Sequence, residues 1–227
     1  MDLARHTKWL KPPVFLLCLA PLGNLAWKAF NTWKAATTGH AAGPDLGANP
    51  VQVIQFSTGT WTLVFLCVTL AMTPLRKLLH QNVLIRFRRM FGLFAFFYGT
   101  LHFVTYLWLD QAFDFPGMLK DVYKRPFIAA GFAAFVLLTP LALTSTAGWI
   151  RRLGGRRWQL LHRLIYVSAI AGVVHFYWGV KVDETVPYRF AAVVAVLLGY
   201  RLIVYYLDSK KSKPASGRPE KETVLSA

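Results

Sequence analysis

Acidic side chains are scarce in this chain. Asp and Glu number 10 against 26 Lys and Arg, and charges of both signs make up 16% of the 227 residues. None of those carboxylates falls in the middle of a long apolar stretch, which leaves no mid-depth acid for a proton relay, an ion path or a hard-cation site. Cysteine is nearly absent too. Cys18 and Cys67 allow neither a disulfide framework nor a thiolate metal site, and each lies in an apolar run where it reads as a small apolar residue. No glycine-rich dinucleotide motif occurs, so a flavin or NADPH reductase domain is missing from this sequence. No internal repeat is visible, although repeats often accompany transport.

Apolar sequence is what the chain has in quantity. It is 55% hydrophobic and 15% aromatic, with a mean hydropathy of +0.39. Six stretches have the roughly 20 residues that a helix needs to cross a hydrocarbon core. They lie near 12–30, 54–74, 90–109, 127–147, 159–180 and 188–207, separated by short polar or basic connections. The expected architecture is an all-α membrane protein, one six-transmembrane-helix bundle over 12–207. A short N-terminal segment (1–11) precedes it, and a solvated tail (208–227) rich in Lys, Ser, Pro and Glu follows. The first stretch runs through Pro21 to Trp27 without a clear small-residue cleavage site, so it is kept as a membrane helix rather than a signal peptide.

The net charge of +16 follows topology. Arg5, Lys8, Lys11, Arg76, Lys77, Arg86, Arg88, Arg89, Arg151, Arg152, Arg156, Arg157, Arg163 and five tail residues fall on one side of alternating crossings. Lys28, Lys34, Lys120, Lys124, Arg125, Lys181 and Arg189 fall on the other. The bias of 18 against 7 puts both termini in the cytoplasm by the positive-inside rule and makes a nucleic-acid role unnecessary. Arg201, well inside the sixth stretch, is left out of this count.

Three histidines, His102, His162 and His175, lie inside membrane-length segments, where an ionisable side chain is costly unless something requires it. His102 falls in the outer half of the third helix and His175 near the outer end of the fifth, so they share a leaflet on parallel helices. Neutral imidazole is a strong haem ligand, and one haem fits between them with both axial positions filled. Such ligation leaves no position for dioxygen or substrate, and the expected task is electron transfer. His162 lies about 20 Å away along the same helix, near its cytoplasmic end, and about 140° around an ideal helix from His175. The two share a face only if a bulge or kink intervenes. Opposite His162 the third helix offers Arg88 and Arg89, with Arg88 within about 40° of the His102 face. His162 serves a second haem, a quinone or a flavin; the arginines either anchor lipid phosphates or pair with haem propionates, a flavin phosphate or a quinone carbonyl.

The runs Arg88-Arg89-Met90-Phe91-Gly92-Leu93, Leu101-His102-Phe103, Lys124-Arg125-Pro126-Phe127-Ile128, Leu141-Ala142-Leu143-Thr144-Ser145-Thr146, Trp158-Gln159-Leu160-Leu161-His162-Arg163-Leu164-Ile165-Tyr166 and His175-Phe176-Tyr177-Trp178 together resemble the MsrQ (YedZ) family, within the ferric-reductase-like transmembrane group. The resemblance covers about residues 8 to 207. It implies a multi-pass protein of the bacterial inner membrane that carries b-type haem, one or two, and FMN. It further implies that electrons come from the quinone pool or a cytosolic flavin reductase and pass to MsrP, a periplasmic molybdopterin enzyme that repairs methionine sulfoxide in periplasmic proteins. The family's haem ligands fall on His102, His162 and His175. Related oxidases carry two histidines on each of two helices; the fourth position here is arginine. The sulfoxide-reducing site is expected on the partner, so this chain is a redox subunit and only loosely an enzyme.

Simpler explanations stand beside these. A membrane histidine also packs helices by hydrogen bonding. Trp61, Tyr98, Tyr106, Trp108, Tyr166, Trp178 and Tyr200 suit an aromatic belt as well as a cofactor lining. Gly92, Gly99 and Gly131 admit either a flat macrocycle or a close helix crossing, and Pro21 and Pro140 are expected to kink helices one and four. The outward connections, with Asp110, Asp114, Asp121, Lys120, Lys124 and Arg125 in one and Lys181, Asp183 and Glu184 in the other, are candidate docking loops. A transporter, a channel or a non-redox membrane anchor is the alternative function.

Overall fold

Six helices long and apolar enough to cross a membrane run through the computed structural model, over Trp9–Thr38, Pro50–Leu79, Asn82–Asp110, Pro126–Leu143, Gly155–Gly179 and Thr185–Lys210. The structure describes residues 3–40, 43–180 and 185–211. Among these there is no β-strand. The elements are α1 (Leu3–Thr38), α2 (Pro50–Leu79), α3 (Ile85–Thr105, extended by a wide π turn, Tyr106–Asp110), α4 (Phe115–Lys124), α5 (Pro126–Leu143), α6 (Ala147–Leu153), α7 (Gly155–Leu161), α8 (Leu164–Gly179) and α9 (Thr185–Lys211). Six crossings return the chain to the face where it began. That face, where α1 starts and α9 ends, is called the terminal face below, and the other the distal face.

Each expected stretch coincides with one of these spans. Most helices run beyond the apolar run because hydropathy marks the lipid-facing middle, whereas the backbone ladder continues into the polar ends. The fourth is shorter than 127–147. Thr144 and Ser145 turn their hydroxyls back onto the Pro140 and Leu141 carbonyls, satisfying acceptors the ending helix leaves open, and Thr146 caps α6 by accepting from the Trp149 N–H. Two of the short polar or basic connections are helical. The basic one is α6 and α7, jointed at Gly154 with φ 73°, a left-handed conformation that favours glycine. The outward one is α4, capped by Asp114 accepting from the Gly117 N–H.

Two helix pairs make the most extensive contacts, α2 against α3 and α5 against α8, with α9 lying along α8 and α2 and α1 along α2 and α3. The buried core joins Leu63, Phe65, Leu66 and Leu70 of α2 to Phe94, Ala95 and Tyr98 of α3, Leu138 of α5 and Ile165 and Ala169 of α8. Tyr98 fixes α1 to it. α1 continues through Pro21, and beside this proline the Tyr98 hydroxyl accepts from the Leu22 N–H (3.2 Å) and donates to the Cys18 carbonyl (2.9 Å). A tyrosine that could have been a cofactor lining thus repairs a helix ladder at a proline. Tyr98→Phe is expected to lower stability by about 1–3 kcal/mol, the cost of unpaired buried polar groups, read as a lower melting temperature in detergent.

Candidate functional site

His102 and His175 are held by the same device, one in each of the two close helix pairs. The His102 Nδ1–H, on α3, donates to the Gln55 carbonyl of α2 at 2.9 Å. The His175 Nδ1–H, on α8, donates to the Phe127 carbonyl of α5 at 2.6 Å. Each acceptor lies four residues before a glycine on its own helix, Gly59 or Gly131, and each imidazole rests on that glycine. A Cβ at Gly59 would stand 3.0 Å from His102 Cε1, and one at Gly131 2.6 Å from His175 Nδ1. The absent side chain is what lets each ring reach the neighbouring backbone.

This bonding sets the tautomer. With Nδ1 donating to a carbonyl, Nε2 keeps its lone pair, as a backbone partner does for metal-binding histidines. The ring centres are 5.9 Å apart and the planes 79° to one another. Two imidazoles bonded at about 2.0 Å to one iron would place their ring centres roughly 6 Å apart. Among the described residues no three His, Cys, Asp or Glu gather into a metal-binding group, so a pair of imidazoles suits an iron whose remaining positions a macrocycle fills. Phe127 stacks on His175 and Phe176 meets Phe56, giving the pair apolar walls.

His162 is held differently. It lies in a turn between α7 and α8, a break in the helix of the kind that would be needed for it to share a face with His175. Its Nδ1 bonds the Trp158 carbonyl (3.0 Å) and its ring stacks on the Trp158 indole, centres 3.8 Å apart. The indole N–H in turn donates to the Thr144 carbonyl at the end of α5. The Leu141 carbonyl approaches the ring without closing a hydrogen bond, and Nε2 is buried without a partner.

Of the two candidate arginines on α3, Arg89 is exposed, whereas Arg88 is half-buried and within electrostatic range of His162, Tyr166 and Arg201. Arg201 itself, set aside in the sequence as a stray charge, is bonded across the bundle. Its signal was its depth: an arginine inside an apolar helix with no acid to pair with. Arg151, Arg152, Arg156 and Arg157 are exposed on α6 and α7. In the distal connection Asp121 is committed within the fold, accepting from Tyr106 Oη and Gln111 Nε2 and pairing with Arg125 at 3.3 Å. Lys181, Asp183 and Glu184 lie outside the described residues.

Comparison with known sequences gives this arrangement a family. The ferric reductase like transmembrane component matches residues 58–173, a stretch that contains His102 and His162 and ends two residues short of His175. Over 206 residues the chain is 52% identical to the protein-methionine-sulfoxide reductase heme-binding subunit MsrQ of Herminiimonas arsenicoxydans, covering 90% of this chain and 88% of that protein. The chain belongs to the MsrQ family. The protein of the same name from Ralstonia nicotianae is 54% identical over 173 residues, covering 75% of this chain and 80% of its own length. That of Polaromonas naphthalenivorans is 43% identical over 216 residues, covering 92% and 93%. The MsrQ resemblance carried by the short runs therefore extends over most of the chain.

Proposed function

We propose that this chain is the haem b-containing electron-transfer subunit of a protein-methionine-sulfoxide reductase system in a bacterial inner membrane. Residues 12–207 form its haem-binding domain, and both termini and the terminal face are cytoplasmic. His102 and His175 are the residues that would hold a haem near the distal, periplasmic side. One observation carries this: two half-buried imidazoles from separate helix pairs, each with Nδ1 committed to a backbone carbonyl and Nε2 left to bind. Bound there, haem iron supplies a one-electron carrier with no position open to dioxygen.

The chain's own residues do the rest. The Gln55 and Phe127 carbonyls orient the rings and raise their basicity. The phenylalanines around them keep water away from the iron. His162, with its orphaned Nε2 on the cytoplasmic side, is the entry point, either as ligand to a second haem or as partner to a quinone or FMN. Electrons enter there from the quinone pool or a cytosolic flavin reductase and leave on the distal face to the periplasmic molybdopterin subunit MsrP, where the sulfoxide chemistry occurs. A transporter is disfavoured by the absence of a mid-depth carboxylate among the described residues.

Detergent-purified protein made with ample haem is expected to show a reducible Soret band with split visible bands; colourless protein overturns the reading. His162→Ala is expected to leave that spectrum largely intact and to slow its reduction from the cytoplasmic side. Loss of the whole spectrum in that variant would mean that His162, not the distal pair, holds the iron.

A further inference from the structure

Arg201 is tied into the bundle from three directions. Nη1 donates to the Tyr166 hydroxyl of α8 at 2.7 Å, and Nη2 to the Leu70 carbonyl and the Thr73 hydroxyl of α2 at 2.9 and 3.3 Å. The guanidinium also lies over the Tyr166 ring, 5.1 Å from its centre. A lipid-anchoring arginine would reach outward along its helix to the interface. This one sits ten residues, about 15 Å, before the end of α9 and turns inward. Tyr166, its partner, lies about 6 Å along α8 from His162 and about 13 Å from His175, which puts Arg201 between the two histidine levels.

All its partners are neutral, and another cation, Arg88, lies within electrostatic range. Among the described residues the ion pair Arg125–Asp121 lies at the distal face, as do Asp45, Asp110 and Asp114, while Asp208 is exposed near the end of α9. No described carboxylate stands at this depth. Two guanidinium charges in a low-dielectric interior without a counter-charge are costly. Three buried side-chain polar atoms lack a partner among the described residues; two of them, Arg201 Nε and His162 Nε2, are in this cluster. An unused donor at Arg201 Nε, excess positive charge and a missing anion coincide.

We propose that Arg201 and Arg88 form a binding site for an oxyanion, a carboxylate or phosphate group carried by a redox cofactor, in the half of the bundle next to His162. A neutral quinone carbonyl would leave both charges unbalanced, whereas an oxyanion neutralises them and gives the Arg201 Nε–H an acceptor. That chemistry has two sources, the propionates of a haem held at His162 or the phosphate of FMN. Tyr166 and Thr73 are positioning residues that aim Arg201. The assignment rests on the redox reading above but concerns the opposite half of the molecule from the distal histidine pair.

The test is haem and FMN quantified per polypeptide, with redox titration, in full-length wild type, Arg201→Gln, Arg201→Lys and Arg88→Gln. Arg201→Gln is expected to retain one cofactor about 10–100-fold more weakly, with Arg201→Lys intermediate and the spectrum of the distal haem unchanged. Loss of haem assigns the site to propionates, and loss of FMN to the phosphate. The distal haem spectrum and the melting temperature report folding; if Arg201→Gln does not fold, Arg88→Gln, which removes the second charge from the half-buried edge of the cluster, decides. Unaltered haem and FMN content and unaltered potentials overturn the proposal while leaving the distal pair standing. Wild type without haem overturns the redox reading instead.

Discussion

His175→Ala and His102→Ala are each expected to empty the distal site and stop electron delivery across the membrane. Removing a group that merely orients a metal ligand costs about 10–100-fold in affinity; removing the ligand itself costs more, and haem bound per polypeptide should fall to background at the distal site. The competing explanation is loss of a packing contact. It predicts a different result, because the Gln55 carbonyl that His102 bonds also accepts from the Thr58 hydroxyl at 3.2 Å and is not left bare when the imidazole goes. The fold should therefore survive with a modest drop in melting temperature. Imidazole added to either variant is expected to restore part of the low-spin spectrum by filling the vacated position. Full haem content and activity in both variants would remove this pair as ligands.

The sequence carried the membrane architecture well, and the juxtaposition of two of its histidines, for identifiable reasons. Helices in lipid must satisfy their own backbone, so hydropathy and length leave few alternatives. His102 and His175 were legible because an imidazole at membrane depth is rare and their depths follow from counting residues along helices. The turn at His162 was not legible: the 13-residue offset gave only the condition, a bulge or kink, under which His162 and His175 would share a face. Arg201 was visible and its role was not, since its partners come from α2 and α8 and only the packing brings them together. Gly59 was missed and Gly131 stood undistinguished beside Gly92 and Gly99. A glycine signals close approach, but not what approaches. In the structure Gly92 and Gly99 face Thr69 and Thr62 at ordinary contact distance, while Gly59 and Gly131 face the histidines.

That difference gives the second large effect, and its sign runs against helix propensity. Alanine in place of a mid-helix glycine ordinarily stabilises a helix by about 1 kcal/mol. At Gly131 the new methyl would meet His175 at three ring atoms, Nδ1 at 2.6 Å, Cε1 at 2.8 Å and Cγ at 2.9 Å. The ring cannot slide aside cheaply, because it is bonded to the Phe127 carbonyl and stacked against the Phe127 ring, centres 6.1 Å apart. Either the imidazole leaves its carbonyl, which frees the tautomer and displaces Nε2, or α5 moves away from α8. Both outcomes loosen the iron. Gly131→Ala is thus expected to lower distal haem occupancy at least about tenfold, the range found when metal-orienting contacts are lost. Gly59→Ala should do less, since its methyl meets His102 at 3.0 and 3.1 Å, a few tenths of an ångström of adjustment. Gly99→Ala, with nothing closer than 3.5 Å, should keep wild-type haem. Haem per polypeptide and midpoint potential measured across the three variants give the order directly. Equal haem in all three would mean that the imidazoles are not held against these glycines in the loaded protein, and the symmetric anchoring inferred for the ligand pair would fall with it.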